Sequence, residues 1–192
     1  DAGSGYKISG FLGQAATPTL LTMADLNGDP YQDLLTVDEA GGLQVRYGHS
    51  DHSFAGVVAL APPRAPLALA TGDLNGDGRG DIAVSHKDDA AFSIFLANPD
   101  GSFAAPLTLS ADLDQSGHSD QPAGLAIGDV NGDGKADLLV AIPSAGRIRI
   151  FLGSGDGGVR FHSAFQDAQL HSRNDPLKPT VPLRLQDLNH DG

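Results

Sequence analysis

The chain contains no cysteine and no tryptophan in its 192 residues. Without cysteine there is neither a disulfide framework nor thiol chemistry, although this leaves the compartment open. Aromatic residues make up 6% of the sequence, and no cluster of them offers a stacking platform for sugars. No uninterrupted run of about 18 apolar residues occurs, so no segment reads as a membrane-spanning helix. Basic side chains number 12 against 24 acidic ones and form no patch. This argues against nucleic acid as a partner, because phosphate contacts need clustered cations. Glutamate is nearly missing too, with Glu39 standing alone among the acids. There is no Gly-x-Ser-x-Gly elbow, His-Glu-x-x-His pair or phosphate-cradling glycine loop. Asp1-Ala2-Gly3-Ser4-Gly5 lacks the charged and apolar regions of a secretory signal. The expectation is a leader already removed or a start inside a longer protein.

What the chain has instead is aspartate on a template. Asp129-Val130-Asn131-Gly132-Asp133-Gly134-Lys135-Ala136-Asp137 carries side-chain oxygens at positions 1, 3, 5 and 9 and glycine at position 6. This is the front half of an EF-hand-type Ca²⁺ loop, in which position 7 (Lys135) contributes its backbone carbonyl. The apolar run Leu138-Leu139-Val140-Ala141 follows, and it reads as a strand rather than a helix. The same loop recurs as Asp73, Asn75, Asp77, Arg79 and Asp81, and as Asp25, Asn27, Asp29, Tyr31 and Asp33. Asp187, Asn189 and Asp191 start a further copy that stops at Gly192. The first Asp therefore returns about every 50 to 60 residues, a period typical of propellers and solenoids. With 25 Gly and 12 Pro separating short apolar runs, the chain reads as all-β.

Each repeat has room for four strands. In the first they are Thr19–Ala24, Leu34–Val37, Gly42–Tyr47 and Phe54–Leu60. In the second they are Leu67–Thr71, Ile82–Ser85, Ala91–Ala97 and Ser102–Leu109. In the third they are Gly124–Ile127, Leu138–Ile142, Arg147–Leu152 and Val159–Phe165. Four strands per repeat is the pattern of propeller blades. The blades fall at about 13–61, 62–109 and 123–165, with inserts at 110–122 and 166–180 and the start of a next blade at 181–192. Residues 5–12 read as the last strand of a preceding blade. Closed propellers typically use 4–8 blades. This chain is expected to form an arc of three, completed by further blades or other subunits.

The sequence resembles the FG-GAP/VCBS repeat family, the calcium-loop blades of integrin α-chain propellers and of many bacterial extracellular proteins. Gly124 to Pro143 carries the resemblance most strongly, and Phe95 to Phe103 and Phe151 to Gly158 match the later turn and strand. The resemblance implies a propeller of four-stranded antiparallel blades, bound Ca²⁺, and an extracellular, cell-surface or periplasmic setting. It implies a protein or carbohydrate ligand and no single activity, because one fold hosts many functions. The expected function is a non-catalytic binding or adhesion module. The alternatives are the propeller part of a polysaccharide- or phosphodiester-cleaving enzyme, or a structural subunit. A carboxylate pair for glycoside cleavage is left open.

Several local features depart from the template. Pro30 occupies position 6 of the first loop, where the others have Gly78 and Gly134. Proline is locked near φ of about −65° and a positive φ is needed there, so this loop either binds more weakly or turns differently. Arg79-Gly80-Asp81 spells an adhesion tripeptide, but Asp81 is position 9 of a loop and is not free for a receptor. His49 and His52 read as solvated turn residues. The insert offers Asp112, Asp114, Ser116, His118 and Asp120 on the same spacing, either as a further metal site or as a solvated polar loop. Strand alternation puts the metal loops at one end of the blades. The other end collects Asp38–Gly42, His86–Asp89, Ile142–Gly146 and the two inserts, where binding function is expected.

Overall fold

The computed structural model describes residues 17–111 and 121–166. The strand expected at 5–12, the candidate metal residues of 112–120, most of the 166–180 connection and the loop at 187–192 lie outside the described residues. Among the described residues twelve strands form three four-stranded antiparallel sheets, each in chain order. The first blade is β1 (Pro18–Ala24), β2 (Asp33–Asp38), β3 (Leu43–Gly48) and β4 (Phe54–Leu60). The second is β5 (Pro66–Gly72), β6 (Asp81–His86), β7 (Ala91–Phe95) and β8 (Leu107–Ser110). The third is β9 (Gly124–Gly128), β10 (Asp137–Ile142), β11 (Arg147–Gly153) and β12 (Val159–Gln166). Among the described residues the only helical element is a 3₁₀ turn at Pro143–Ala145, stopped by Gly146 in the left-handed region. No helix of the described residues is long and apolar enough to cross a membrane.

The blades stand side by side. Their first strands meet at one edge, β1 against β5 and β5 against β9. The second strands lie inside the sheets, with neighbours on both sides. Accordingly β6 and β10 are buried at every position, with the apolar runs Ile82–Val84 and Leu138–Ile142 within them. One core fills the space between blades one and two, from Leu26, Leu35, Val37, Leu43 and Val45 on one side to Ile82, Val84 and Phe95 on the other. A second joins blades two and three through Phe92, Ile94, Leu125, Leu138, Val140 and Phe151. There Phe92 meets Phe151 edge to face at 5.0 Å between ring centres. The two outer blades pack on opposite faces of the middle one, and among the described residues the array does not close.

One strand assignment needs correction. Strand Ser102–Leu109 was expected to run unbroken beside Ala91–Ala97. Instead β7 ends at Phe95, Ala97 and Phe103 form an isolated bridge, and β8 begins at Leu107. Pro106 explains the gap, since it has no N–H for the ladder and its ring restrains the residue before it.

A buried polar chain crosses blade two near the end opposite the aspartate loops. His86 is 1% exposed, its Nε2 lies 2.8 Å from Ser93 Oγ, and Ser93 Oγ lies 2.7 Å from Thr108 Oγ1. Burial pushes the His86 imidazole below its ordinary value of 6.5; the Arg64 charge acts the same way, while the accepting backbone carbonyl of Arg64 and the Asp89 charge oppose it. Folded His86 therefore stays neutral where the unfolded chain takes up a proton. Its contribution is intact above the unfolded value and is lost as pH falls below it. Between about pH 7.5 and about pH 5 His86 pulls the melting temperature down while Asp81, whose carboxyl burial pushes up to about 6, pulls the other way, so the native protein should lose stability relative to His86→Gln as pH falls. A variant with an unchanged slope would remove His86 from the account.

Candidate functional site

Backbone bonds establish which loops share an end. The turn between β2 and β3 reaches the lead into β1, with Glu39 N–H donating to Thr17 O at 3.1 Å. In blade two Lys87 N–H donates to Ala65 O at 2.8 Å. The other connections meet at the opposite end, where Gly157 N–H of the β11–β12 turn donates to Leu74 O in the second aspartate loop at 3.2 Å. The loops at 25–33, 73–81 and 129–137 therefore share one end with the β3–β4, β7–β8 and β11–β12 turns.

Within each loop the ninth residue acts as a brace. Asp33, Asp81 and Asp137 are fully buried. One oxygen of each accepts the N–H of loop position 2: Leu26 to Asp33 at 2.8 Å, Leu74 to Asp81 at 2.9 Å, Val130 to Asp137 at 3.0 Å. The other oxygen accepts an N–H from the end of the third strand: Gly48 at 2.9 Å, Ala97 at 2.9 Å, Gly153 at 2.8 Å. Sequence spacing marked these residues as ligands, and nothing in the spacing showed the brace, because its second half comes from a residue 15 or 16 positions away. Burial pushes the Asp81 carboxyl up to about 6; the Ala97 and Leu74 amides oppose this, and the Asp77 and Asp73 charges add to it. Burial also raises Asp33, against the Gly48 and Leu26 amides. The tripeptide Arg79-Gly80-Asp81 is closed to a receptor. Asp81 is buried, and Gly80 sits so tightly that a Cβ there would fall 2.6 Å from Asp25 O, which accepts the Gly80 N–H at 2.9 Å.

The remaining acids are half-buried (Asp25, Asp29, Asp73) or exposed (Asp77, Asp129, Asp133) and fold onto their own loop. Asp129 takes Gly132 N–H at 2.8 Å on Oδ1 and Gly134 N–H at 2.8 Å on Oδ2. Led by the Gly134 amide, these bonds hold its carboxyl below the usual range. Asp73 is placed the same way, with Gly76 at 2.7 Å and Gly78 at 2.8 Å. Position 5 accepts the amide of position 7: Tyr31 to Asp29 at 2.7 Å, Arg79 to Asp77 at 2.9 Å, Lys135 to Asp133 at 2.9 Å. Gly78 and Gly134 do turn through positive φ, at 82° and 79°. Pro30 supplies neither that turn nor the amide, and Asp25 accepts only Asn27 N–H at 3.2 Å and Gly28 N–H at 2.7 Å. Loop one therefore lacks the position-6 bond that its two counterparts share.

Among the described residues no three of the acids are drawn together into a metal-holding cluster. The donor set nonetheless suits a hard cation: aspartate oxygens at 1, 5 and 9, an asparagine amide oxygen at 3, and the carbonyls of Tyr31, Arg79 and Lys135. A carboxylate oxygen has two lone pairs, so the braced Asp33, Asp81 and Asp137 retain acceptor capacity beyond their amide bonds.

The fold and loops define the class of protein, an all-β propeller array whose blades each open with an aspartate loop. More particularly, the chain belongs to the FG-GAP-like repeat family, which matches residues 25–84, 74–140 and 129–192. No curated protein matches it. Among solved structures it is similar to an Agrocybe aegerita lectin described as recognising non-reducing terminal N-acetylglucosamine. Identity there is 22% and the TM-score 0.53, over 76% of this chain and 37% of the lectin. It is also similar to BBS1N in complex with ARL6DN, at 13% identity and a TM-score of 0.51, over 79% of this chain and 38% of that one. The chain thus spans less than half the length of either structure.

Proposed function

We propose that this chain is a calcium-stabilised, non-catalytic binding module of an extracellular, cell-surface or periplasmic protein. Its metal loops stiffen one end of the blades, and a carbohydrate or protein ligand is held at the other. One observation carries the reading: three loops repeat the same oxygen donors at one end, while the opposite end differs from blade to blade. Asp38–Gly42, His86–Asp89 and Ile142–Gly146 have nothing in common there except position, and varied loops on a rigid scaffold are where binding resides. The weak calcium affinity of extracellular modules, about 10⁻⁴–10⁻³ M, suits a calcium-rich compartment. The ligand classes to test first are those named for the two structural neighbours, saccharides and a protein partner. A glycan array and a partner capture are the experiment. Alanine substitutions at Glu39, Lys87 and Asp88 should abolish binding, and substitutions at Asp51, Asp100 and Asp156, at the metal end, should leave it intact. The reverse pattern would overturn the placement, and turnover of an acidic polysaccharide would favour the enzymatic alternative.

The loops should also differ from one another. Asp77→Ala or Asp133→Ala should remove most of a site's stabilisation in calcium, about 2.7 kcal/mol at one hundred times Kd. Asp29→Ala should cost less, because Pro30 deprives loop one of its turn and amide. Pro30→Gly should bring loop one level with the others. If Asp29→Ala proves the most damaging of the three in calcium, after subtraction of the loss in EDTA, the reading of Pro30 is wrong.

A further inference from the structure

Among the described residues the fourth strand of each blade has a neighbour on one side only, so β4, β8 and β12 each present an outer row of backbone amides and carbonyls. The blades pack through their faces, so further blades would leave these outer edges open. An open edge is a template for another strand, and proteins blunt it with bulges, proline or short strands. Two of the three edges are blunted. In β4, Gly56 turns through a φ of 66°, and the pairing with β3 slips between Val45 and Tyr47. β8 has 4 residues and follows Pro106. β12 differs from both. With 8 residues it is the longest described strand, and it contains neither glycine nor proline. Seven of them pair with β11, and the one slip leaves out His162.

Side chains also separate β12 from the other two. Arg160 is the only formally charged side chain on the three outer strands. Arg160, Phe161, His162 and Ala164 are exposed. The carboxylate nearest to Arg160 in sequence is Asp156, which is engaged by Ser154 Oγ–H and by Gly158 N–H at 3.0 Å, with the Lys135 charge also acting on it. Phe161 is 39% exposed, but its ring is footed on Phe151, edge to face at 5.7 Å between centres. Arginine and aromatic side chains are both enriched where proteins meet.

We propose that the outer edge of β12 receives an acidic, extended peptide of a partner protein as a fifth strand of blade three. Backbone pairing along the edge supplies affinity, and side chains supply selectivity. Arg160 and Phe161 are adjacent, so they project from opposite faces of the sheet. A carboxylate across from Arg160 and an apolar side chain across from Phe161 therefore fall on successive peptide residues. The fitting peptide alternates acidic with apolar residues. This edge lies on the rim of the blade, apart from both ends, so the outcome is independent of the ligand proposed for the end opposite the aspartate loops.

The test is fluorescence anisotropy of the intact protein with a short dye-labelled peptide alternating glutamate and valine. Saturable binding with a Kd below about 1 mM is expected. A peptide alternating lysine and valine should bind more weakly. In Arg160→Glu the order should reverse: the glutamate peptide should lose about tenfold, and the lysine peptide should gain. A gain cannot come from a variant that has failed to fold. Phe161→Ala should weaken both. The glutamate peptide methylated on its backbone nitrogens should not bind, because it cannot donate to the edge. Absence of binding by the glutamate peptide below about 1 mM would overturn the proposal. So would an unchanged preference in Arg160→Glu, or binding that survives methylation, which would reduce the edge to a charged patch for polyanions. A dimer of the protein alone that the peptide dissociates would give the edge to a second copy. Tighter binding of a synthetic peptide of residues 167–180 would give it to the chain's own connection. Either result also overturns the proposal.

Discussion

Removing calcium is expected to lower the melting temperature by about 10–20 °C without unfolding the protein at room temperature. Two fully equipped loops each add about 2.7 kcal/mol at one hundred times Kd, and for a chain of this size each kcal/mol moves the midpoint by about 2–4 °C. The metal-free loops are not left open. Asp73 and Asp129 each hold three loop amides across their two oxygens, so the turn keeps its shape without a cation. The fall should be reversed by millimolar Ca²⁺ and not by Mg²⁺, which demands a tighter octahedron than a loop of carbonyls and carboxylates supplies. Superimposable melting curves in EDTA and in calcium would dispose of calcium as a structural ligand.

Asp81→Ala should be the costliest single loop substitution, and it should remain costly in EDTA. The side chain is fully buried and accepts Leu74 N–H and Ala97 N–H. Alanine leaves both amides without an acceptor in a dry interior, at about 1–3 kcal/mol each. The loss is therefore about 2–6 kcal/mol, and calcium cannot restore it. Asp81→Asn keeps one acceptor oxygen but turns an amide group toward a donor, and should fall between alanine and the native residue. Asp77→Ala lies on the exposed side of the same loop and should matter little until calcium is added. Denaturant melts of the three variants with and without EDTA separate these roles. Should Asp81→Ala and Asp77→Ala lose the same stability in EDTA, the brace has no energetic weight.

These contrasts mark where the sequence was informative. The loops were legible because their spacing is local: side-chain oxygens at positions 1, 3, 5 and 9 with a turn between them have few other uses. The strands were legible for the same reason, since apolar runs such as Ile82-Ala83-Val84 and Leu138-Leu139-Val140 start where each loop ends. What escaped was nonlocal. The break at Pro106 depends on which residue faces it across the sheet. The second role of Asp33, Asp81 and Asp137 depends on strand ends that pair only in the folded blade. The inward turn of Asp25, Asp73 and Asp129 onto loop amides depends on competition between a backbone donor and a cation, which composition does not display. Pro30 was the exception: a missing N–H and a fixed φ can be read from one letter, and the structure shows the missing bond directly.

The strap from Gly80 N–H to Asp25 O joins the second loop to the first. Gly157 N–H to Leu74 O ties the second loop to the β11–β12 turn of the third blade rather than to its aspartate loop. Neither loop can then be ordered or loosened alone. A cation that fixes one loop meets part of the entropic cost of fixing its neighbour, so the second ion enters a loop already restrained. Such coupling is reciprocal, and it makes occupancy rise more steeply with concentration than separate sites would. On the calcium reading proposed above, the two strapped loops would fill over a narrower range of calcium than separate sites.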